Sequence, residues 1–114
     1  MQSQDSPVVL KHNFTQLKAV GETDSLNVIG MSYHTFKYKI ASINTNVVLR
    51  FEGSDDSTDW FNLDDNRIDI TETANGTYKK HKPNFRCDYV RGYLVSESGG
   101  SDVTVDIVYI GGKE

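Results

Sequence analysis

The chain alternates apolar and polar residues with a period of two. This alternation is clearest in three stretches, residues 33–42, 46–54 and 102–112. No window of helical length carries the apolar stripe that an amphipathic helix needs. Because successive side chains of a β-strand point to opposite faces of a sheet, each stretch predicts a strand with one buried and one exposed face. The sequence therefore predicts an all-β protein.

The same alternation assigns a core face to each of these strands. The apolar residues that share a face and are expected to be buried are Phe36, Tyr38 and Ile40, then Val47, Leu49 and Phe51, then Val103, Val105, Ile107 and Tyr109. In the first strand Lys37 and Lys39 fall on the opposite, exposed face. In the last strand Val108 and Ile110 give the exposed face apolar residues as well, which makes them candidate contacts with a second subunit.

Five further segments have the composition of strands. They lie at 7–14, 25–30, 67–72, 76–82 and 86–97 and are separated by turn residues. About seven to eight strands in all favour an antiparallel β-sandwich with a jelly-roll-like arrangement. We expect one domain, residues 1–114. Because the first residues are polar and offer nothing to bury, residues 1–24 are a candidate N-terminal arm.

Two glycine-containing turns predict hairpins. Asn75-Gly76 readily takes the positive φ angles of a tight type I′ turn, and it would pair strand 67–72 with the strand that follows it. Gly99-Gly100 can reverse the chain in the same way. Strands 86–97 and 103–110 would then be antiparallel neighbours in one sheet.

Charge restricts the classes of partner. The net charge is −4, and the 12 lysines and arginines are scattered along the sequence. Nucleic acid is therefore not an expected partner, because phosphate binding depends on clustered positive charge. The densest basic stretch, 78–82, is interpreted as an edge strand protected by its lysines. No segment has the length of a transmembrane helix or the apolar centre of a signal peptide, so we expect synthesis in a cytoplasm and no membrane partner.

The sequence contains none of the common catalytic motifs. It has no nucleotide-binding loop, no HExxH and no nucleophile elbow. The single cysteine, Cys87, excludes an internal disulfide, and its alternation with Phe85 and Tyr89 indicates a small buried side chain. We therefore expect no enzymatic activity, no catalytic residue and no cofactor.

Residues 51–63, FEGSDDSTDWFNL, combine carboxylates with aromatic side chains. Asp55, Asp56 and Asp59 are candidate calcium ligands, since calcium prefers carboxylate and carbonyl oxygens. Their spacing is not that of an EF-hand. The favoured alternative is a surface turn in which Asp and Ser side chains bond local backbone amides.

The aromatic pair in this loop is a candidate contact site for a partner protein or a glycan. Alternation places Phe61 with Leu63 on one side and Trp60 on the other, so one of the two aromatic residues is expected to be buried. An exposed aromatic ring can stack on a sugar or anchor a protein interface. Tyr78 and Tyr33 are further surface tyrosines that could contribute.

Several short features occur together in the order seen in a group of phage proteins. They are E-G-S at 52–54, W-F at 60–61, N-G-T-Y at 75–78, Y-V-R-G at 89–92 and S-G-G at 98–100. Between about residues 33 and 112 the chain resembles small β-sandwich virion proteins of tailed bacteriophages, including head decoration (cement) proteins. The resemblance implies a β-sandwich and a structural role in a virion, and it brings no catalytic residues.

Two functions follow as hypotheses. The first is a capsid decoration protein that lies on the outer surface of a phage head, binds the major capsid protein, and associates with itself as a trimer or dimer. The alternative is a carbohydrate- or host-surface-binding β-sandwich module of a phage fibre or tail. Neither hypothesis includes a metal, a cofactor, nucleic acid or a membrane.

Overall fold

A computed structural model of the chain describes residues 9–98 and 102–113. These residues form ten β-strands and no helix: β1 Val9–Asn13, β2 Gly21–Glu22, β3 Leu26–Asn27, β4 Tyr33–Ala41, β5 Asn46–Ser54, β6 Phe61–Asn62, β7 Ile70–Glu72, β8 Gly76–Lys82, β9 Tyr89–Ser98 and β10 Thr104–Gly112. All pairings between these strands are antiparallel. The predicted all-β, antiparallel fold class is confirmed.

The strands form two sheets that pack face to face. Sheet A has the order β1-β10-β4-β8, and sheet B has the order β2-β9-β5-β6, with β3 also on β9 and β7 also on β5. One hydrophobic core lies between the sheets. At its centre the ring of Phe36 in sheet A stacks on the ring of Phe51 in sheet B, with centroids 4.3 Å apart. The molecule is therefore a β-sandwich.

The order of the strands is that of a jelly roll. Strands β2 and β3 pair one after the other with the same edge of β9. In the same way β6 and β7 pair one after the other with the same edge of β5. The ten strands therefore occupy four positions in each sheet. Counted by these positions, the chain changes sheet at every connection except the one from β5 to the position shared by β6 and β7. Such alternation between two four-stranded sheets is typical of a jelly roll.

The core faces follow the predicted alternation. The alternation assigned ten apolar residues to the core, nine of them in β4, β5 and β10 and the tenth, Val103, directly before β10. All ten are buried. Lys37 and Lys39 are exposed on the other face of β4. This agreement is expected because the alternation of side chains along a strand is a local property of the backbone.

The predicted hairpin at Asn75-Gly76 is wrong. The strand before this turn, β7, pairs with β5 in sheet B, whereas the strand after it, β8, pairs with β4 in sheet A. The segment is a crossover between the sheets, and Asn75 Oδ1 accepts a hydrogen bond from the backbone N–H of Ile43, at 2.8 Å. Asn75 thereby connects this crossover to the turn between β4 and β5.

The predicted pairing of 86–97 with 103–110 is also wrong. Strand β9 lies in sheet B and β10 in sheet A, and their apolar faces meet across the core. Gly92 of β9 permits this close approach, since a Cβ atom there would lie 2.5 Å from Ile107 Cδ1. Two strongly apolar faces bury more surface against each other across a core than as neighbours in one sheet. The predicted reversal at Gly99-Gly100 lies outside the described residues.

Residues 9–24, the described part of the candidate N-terminal arm, do not form an arm. Strand β1 pairs with β10 along the edge of sheet A, and β2 pairs with β9. Between these strands Phe14 and Leu17 are buried in the core, and Leu17 forms a bridge with Val105. Residues 9–24 therefore belong to the sandwich, because their apolar side chains complete the core; residues 1–8 lie outside the described part.

We predict that Ile107→Ala lowers the free energy of unfolding by about 2 to 5 kcal/mol, as expected for truncation of a buried aliphatic side chain. Ile107 is only 1% exposed and contributes to the shared core. Urea denaturation gives the measurement, and Arg86→Ala, at an exposed position outside the core, is the control, with little expected change. A near-neutral result for Ile107→Ala would contradict the assignment of this face to the core.

Candidate contact surface

The outer face of sheet B carries two arginines between aromatic rings. The guanidinium of Arg91 lies 4.1 Å from the ring centroid of Trp60 and 5.9 Å from that of Tyr93. The guanidinium of Arg50 lies 5.8 Å from the same Tyr93 ring. Strands β5 and β9 align these residues, because Arg50 is opposite Tyr93 and Glu52 is opposite Arg91 in the pairing register. We call Arg50, Glu52, Trp60, Arg91 and Tyr93 the arginine-aromatic band.

Buried and half-buried carboxylates hold the two arginines in place. Glu52, which is 5% exposed, accepts hydrogen bonds from Arg91 Nε at 2.7 Å and Arg50 Nη1 at 3.3 Å. Asp69 accepts two more from Arg50, from Nε at 2.8 Å and Nη2 at 3.0 Å. The bonds to Asp69, with a further contribution from Glu52, raise the pKa of Arg50 above its ordinary value. Paired hydrogen bonds of this kind fix the plane of a guanidinium.

The band has the composition of a protein contact site. Trp, Tyr and Arg are the residue types most often found at the energetic centres of protein interfaces. Side chains already fixed by Glu52 and Asp69 lose little conformational entropy when a partner binds. Within the described residues, Arg91 uses only its Nε for hydrogen bonding, so both Nη groups can donate to a partner. The arrangement can therefore recognise acceptor groups beside an apolar contact.

The acidic loop next to the band is held by its own side chains. Ser54 Oγ accepts hydrogen bonds from the N–H groups of Asp56 and Ser57, at 3.2 and 2.9 Å. Asp56 Oδ1 accepts from the N–H groups of Thr58 and Asp59, both at 2.9 Å. The bonds from Asp59 and Thr58 lower the pKa of Asp56. The interpretation of this segment as a turn stabilised by Asp and Ser side chains is confirmed.

The candidate calcium ligands do not converge on a metal site. Asp55 and Asp59 are exposed, and Asp56 directs one carboxylate oxygen to local amides. Across residues 9–98 and 102–113, no group of three His, Cys, Asp or Glu side chains could hold a metal ion.

The expectation that Trp60 or Phe61 is buried is wrong. Both are half-exposed, and Leu63, at 4% exposure, fills the interior position instead. Leu63 and Phe61 pack closely against the backbone of Gly53, since a Cβ there would lie 2.9 Å from Leu63 Cδ2 and 3.1 Å from Phe61. Trp60 and Phe61 line a surface hollow of about 270 Å³ together with the three aspartates of the loop.

The other predicted contact residues lie outside the arginine-aromatic band. Tyr78 is half-buried, stacks on Tyr38 with ring centroids 5.4 Å apart, and donates a hydrogen bond to the carbonyl of Ala74 at 2.6 Å. Its ring therefore supports the fold. Val108 and Ile110 lie on the outer face of sheet A, in the sheet opposite the arginine-aromatic band.

A buried histidine, which the sequence analysis did not identify, lies at one end of the core. His34 is fully buried; its Nε2 is 2.9 Å from the carbonyl oxygen of Phe85, and its Nδ1 is 2.6 Å from the hydroxyl of Tyr109. A carbonyl can only accept, so Nε2 carries the proton and Nδ1 accepts from Tyr109. The absence of a side chain at Gly111 leaves room for the Tyr109 phenol. No local pattern could reveal this set, because its members are far apart in sequence.

Cys87 is buried and free, as its alternation predicted. Burial, with a smaller effect of the Asp55 charge, raises the pKa of its thiol to about 11. The thiol is therefore protonated at neutral pH, whereas a nucleophilic cysteine requires the thiolate.

Over nearly its whole length, the chain shares its fold with a prophage protein. The crystal structure of SPBc2 prophage-derived protein YomS superimposes with a TM-score of 0.62, covering 96% of this chain and 99% of that chain at 18% sequence identity. At this identity the likeness establishes the fold. No protein-family model matches the chain, and no curated protein matches it.

Among the residues that the structure describes, no helix is long and apolar enough to cross a bilayer.

We predict that the protein loses stability as the pH falls below about 6.5, the ordinary pKa of histidine. Burial lowers the pKa of His34, with a smaller contribution from His81, although the Phe85 carbonyl acts in the opposite direction. Below pH 6.5 the unfolded chain therefore binds a proton that the folded chain does not, which favours unfolding until the pH passes the folded pKa. Urea denaturation at several pH values measures the effect.

The matched variants are His34→Gln, which should weaken this pH dependence, and His81→Asn, which should retain it. An NMR titration of the wild-type chain gives a second readout that does not depend on a variant. A His34 ring that titrates at or above pH 6.5 would contradict the prediction.

Proposed function

We propose that this chain is a structural protein of a bacteriophage particle, and that it decorates the outer surface of the head. The observation that carries the proposal is the end-to-end likeness of fold to a prophage-derived protein. In this proposal the protein has no enzymatic activity and acts by binding the major capsid protein and further copies of itself, as a trimer or dimer. A decoration protein works by repeated contacts, since symmetry and multivalency turn modest single affinities into firm attachment.

The arginine-aromatic band supports the proposal as the surface that meets the shell. Trp60 and Tyr93 offer half-exposed rings, and the Nη groups of Arg91 offer hydrogen-bond donors that the described part of the chain does not use. Glu52 and Asp69 neutralise the two arginines. The band can therefore meet a protein surface without leaving an unpaired charge buried at the interface.

We predict that the purified protein binds expanded, undecorated heads of the phage that encodes it and raises their melting temperature. Quantitative mass spectrometry of washed particles should find hundreds of copies per head, as expected for a protein that repeats with the capsid symmetry. Differential scanning calorimetry measures the gain in head stability.

The paired variant Trp60→Ala with Arg91→Ala should bind heads at least about tenfold more weakly, because it removes two interface residues of the kind that dominate binding energy. Arg86→Ala is the control, since Arg86 is exposed and lies outside the band. Wild-type protein that neither binds the heads nor raises their melting temperature would refute the decoration role.

A second candidate function is a carbohydrate- or host-surface-binding module of a fibre or tail. The observation in its favour is the hollow of about 270 Å³ in which the Trp60 and Phe61 rings lie beside three aspartates. Aromatic rings stack on sugar faces, and carboxylates accept hydrogen bonds from hydroxyl groups. Arg91 covers part of the Trp60 ring, at 4.1 Å from its centroid, which leaves less of the ring for a sugar.

For this second function we expect binding on a glycan array that is lost in Trp60→Ala and retained in Tyr93→Phe. Tryptophan fluorescence gives an independent readout, because Trp60 is the only tryptophan of the chain. An array without binding, or binding that survives Trp60→Ala, would remove this candidate.

A further inference from the structure

The outer face of sheet A gathers lysines from three strands. Lys11 of β1, Lys37 and Lys39 of β4, and Lys79 of β8 are all exposed on this face. In the strand register Lys37 lies directly opposite Lys79. We call these four residues the lysine face. Asp106 of β10 also lies on this face, opposite Lys39 in the register, and accepts a hydrogen bond from Gln16. The four lysines outnumber this carboxylate, so the face is positive in a chain whose net charge is −4.

None of these four lysines forms an ion pair among the described residues. By contrast, Lys80 and Lys82 of the same edge strand β8 form ion pairs with Asp64 and Asp65. Like charges directly opposite each other on neighbouring strands are destabilising. The lysine face therefore has an electrostatic cost that an acidic surface bound to it would remove.

An apolar hollow adjoins the lysine face. Val9, Tyr33 and Ile110 line it, with a volume of about 310 Å³, and Val9 is 65% exposed. Lys11 is opposite Ile110 in the register, so cationic side chains border the hollow. An apolar centre with a polar rim is the usual plan of a protein interface.

The acidic loop on the same chain has complementary chemistry. The carboxylates of Asp55 and Asp59 form no hydrogen bond or ion pair within the described residues. Beside them Phe61 presents a half-exposed ring, whereas the Trp60 ring lies against Arg91 in the arginine-aromatic band. Carboxylates suit the lysines, and the Phe61 ring suits the apolar hollow.

We propose that the lysine face and hollow of one copy receive Asp55, Asp59 and Phe61 of the acidic loop of a second copy, which leaves Trp60 in the arginine-aromatic band. The two surfaces differ, so the contact runs head to tail and forms a ring where its rotation closes. This inference rests on the self-association included in the proposed function and names the surfaces that produce it. Its test needs no capsid, so its failure and the failure of head binding are separate results.

The experiment is light scattering of the purified chain after size-exclusion chromatography, at low and high salt. We expect a mass that is a multiple of 12.8 kDa at about 0.01 M salt and a shift toward the monomer at about 1 M, where charges are screened within a few ångströms. A wild-type chain that stays monomeric at low salt and high concentration would overturn the proposal.

Two charge-reversal variants locate the contact. Lys37→Glu with Lys39→Glu, and separately Asp55→Lys with Asp59→Lys, should each weaken self-association by more than about tenfold, because each places like charges against each other. An equimolar mixture of the two variants should associate again, since each reversed surface then meets a surface of opposite charge. Retained association of either variant alone, or no association of the mixture, would overturn the assignment.

The matched control is Arg67→Glu with Arg86→Glu. It changes the net charge by the same amount as the lysine variant, at two exposed positions outside the lysine face, and it should associate like the wild type. Fluorescence anisotropy with a single-stranded DNA probe tests the competing ligand class. A monomeric wild-type chain that binds this probe through Lys37 and Lys39 would assign the face to nucleic acid and refute the self-contact.

Discussion

The packing of two apolar sheet faces against each other is the interaction on which the rest of this structure depends. Each strand offers one apolar face, and the jelly-roll connections distribute those faces so that both sheets turn them inward. The stacked rings of Phe36 and Phe51 and the close approach of Gly92 to Ile107 mark the centre of that contact. Because the inner faces are committed to the core, the two outer faces and the connecting loops carry the chemistry available to partners.

The two outer faces use charge in different ways. On sheet B, Arg50 and Arg91 are neutralised by Glu52 and Asp69 and lie against aromatic rings, so this band suits close protein contact. On sheet A the lysines of the lysine face form no ion pair among the described residues. The positive potential of these lysines attracts acidic surfaces that come within about one Debye length in solution. In the functions proposed above, sheet B is the side that meets the capsid shell and sheet A the side that meets another copy.

Buried polar groups in this fold are tolerated where they have complete sets of partners. His34 binds the Phe85 carbonyl with one ring nitrogen and the Tyr109 hydroxyl with the other. Glu52 binds both arginines of the band. In each case partners from different parts of the chain offset the cost of removing a polar group from water. These groups also make the stability of the fold sensitive to pH, since protonation of His34 Nδ1 removes the acceptor of the hydrogen bond from Tyr109.

The sequence by itself determined which residues form the main strands and which side chains of β4, β5 and β10 face the core, because period-two alternation is a local property. It also predicted the Asp and Ser turn after Ser54, whose hydrogen bonds are local. Only the tertiary structure decided which strands pair, since a hairpin signal such as Asn75-Gly76 competes with burial across the whole sandwich. The same holds for the arginine-aromatic band and the lysine face. Alternation assigns a residue to a face, but the neighbours on that face come from strands distant in sequence.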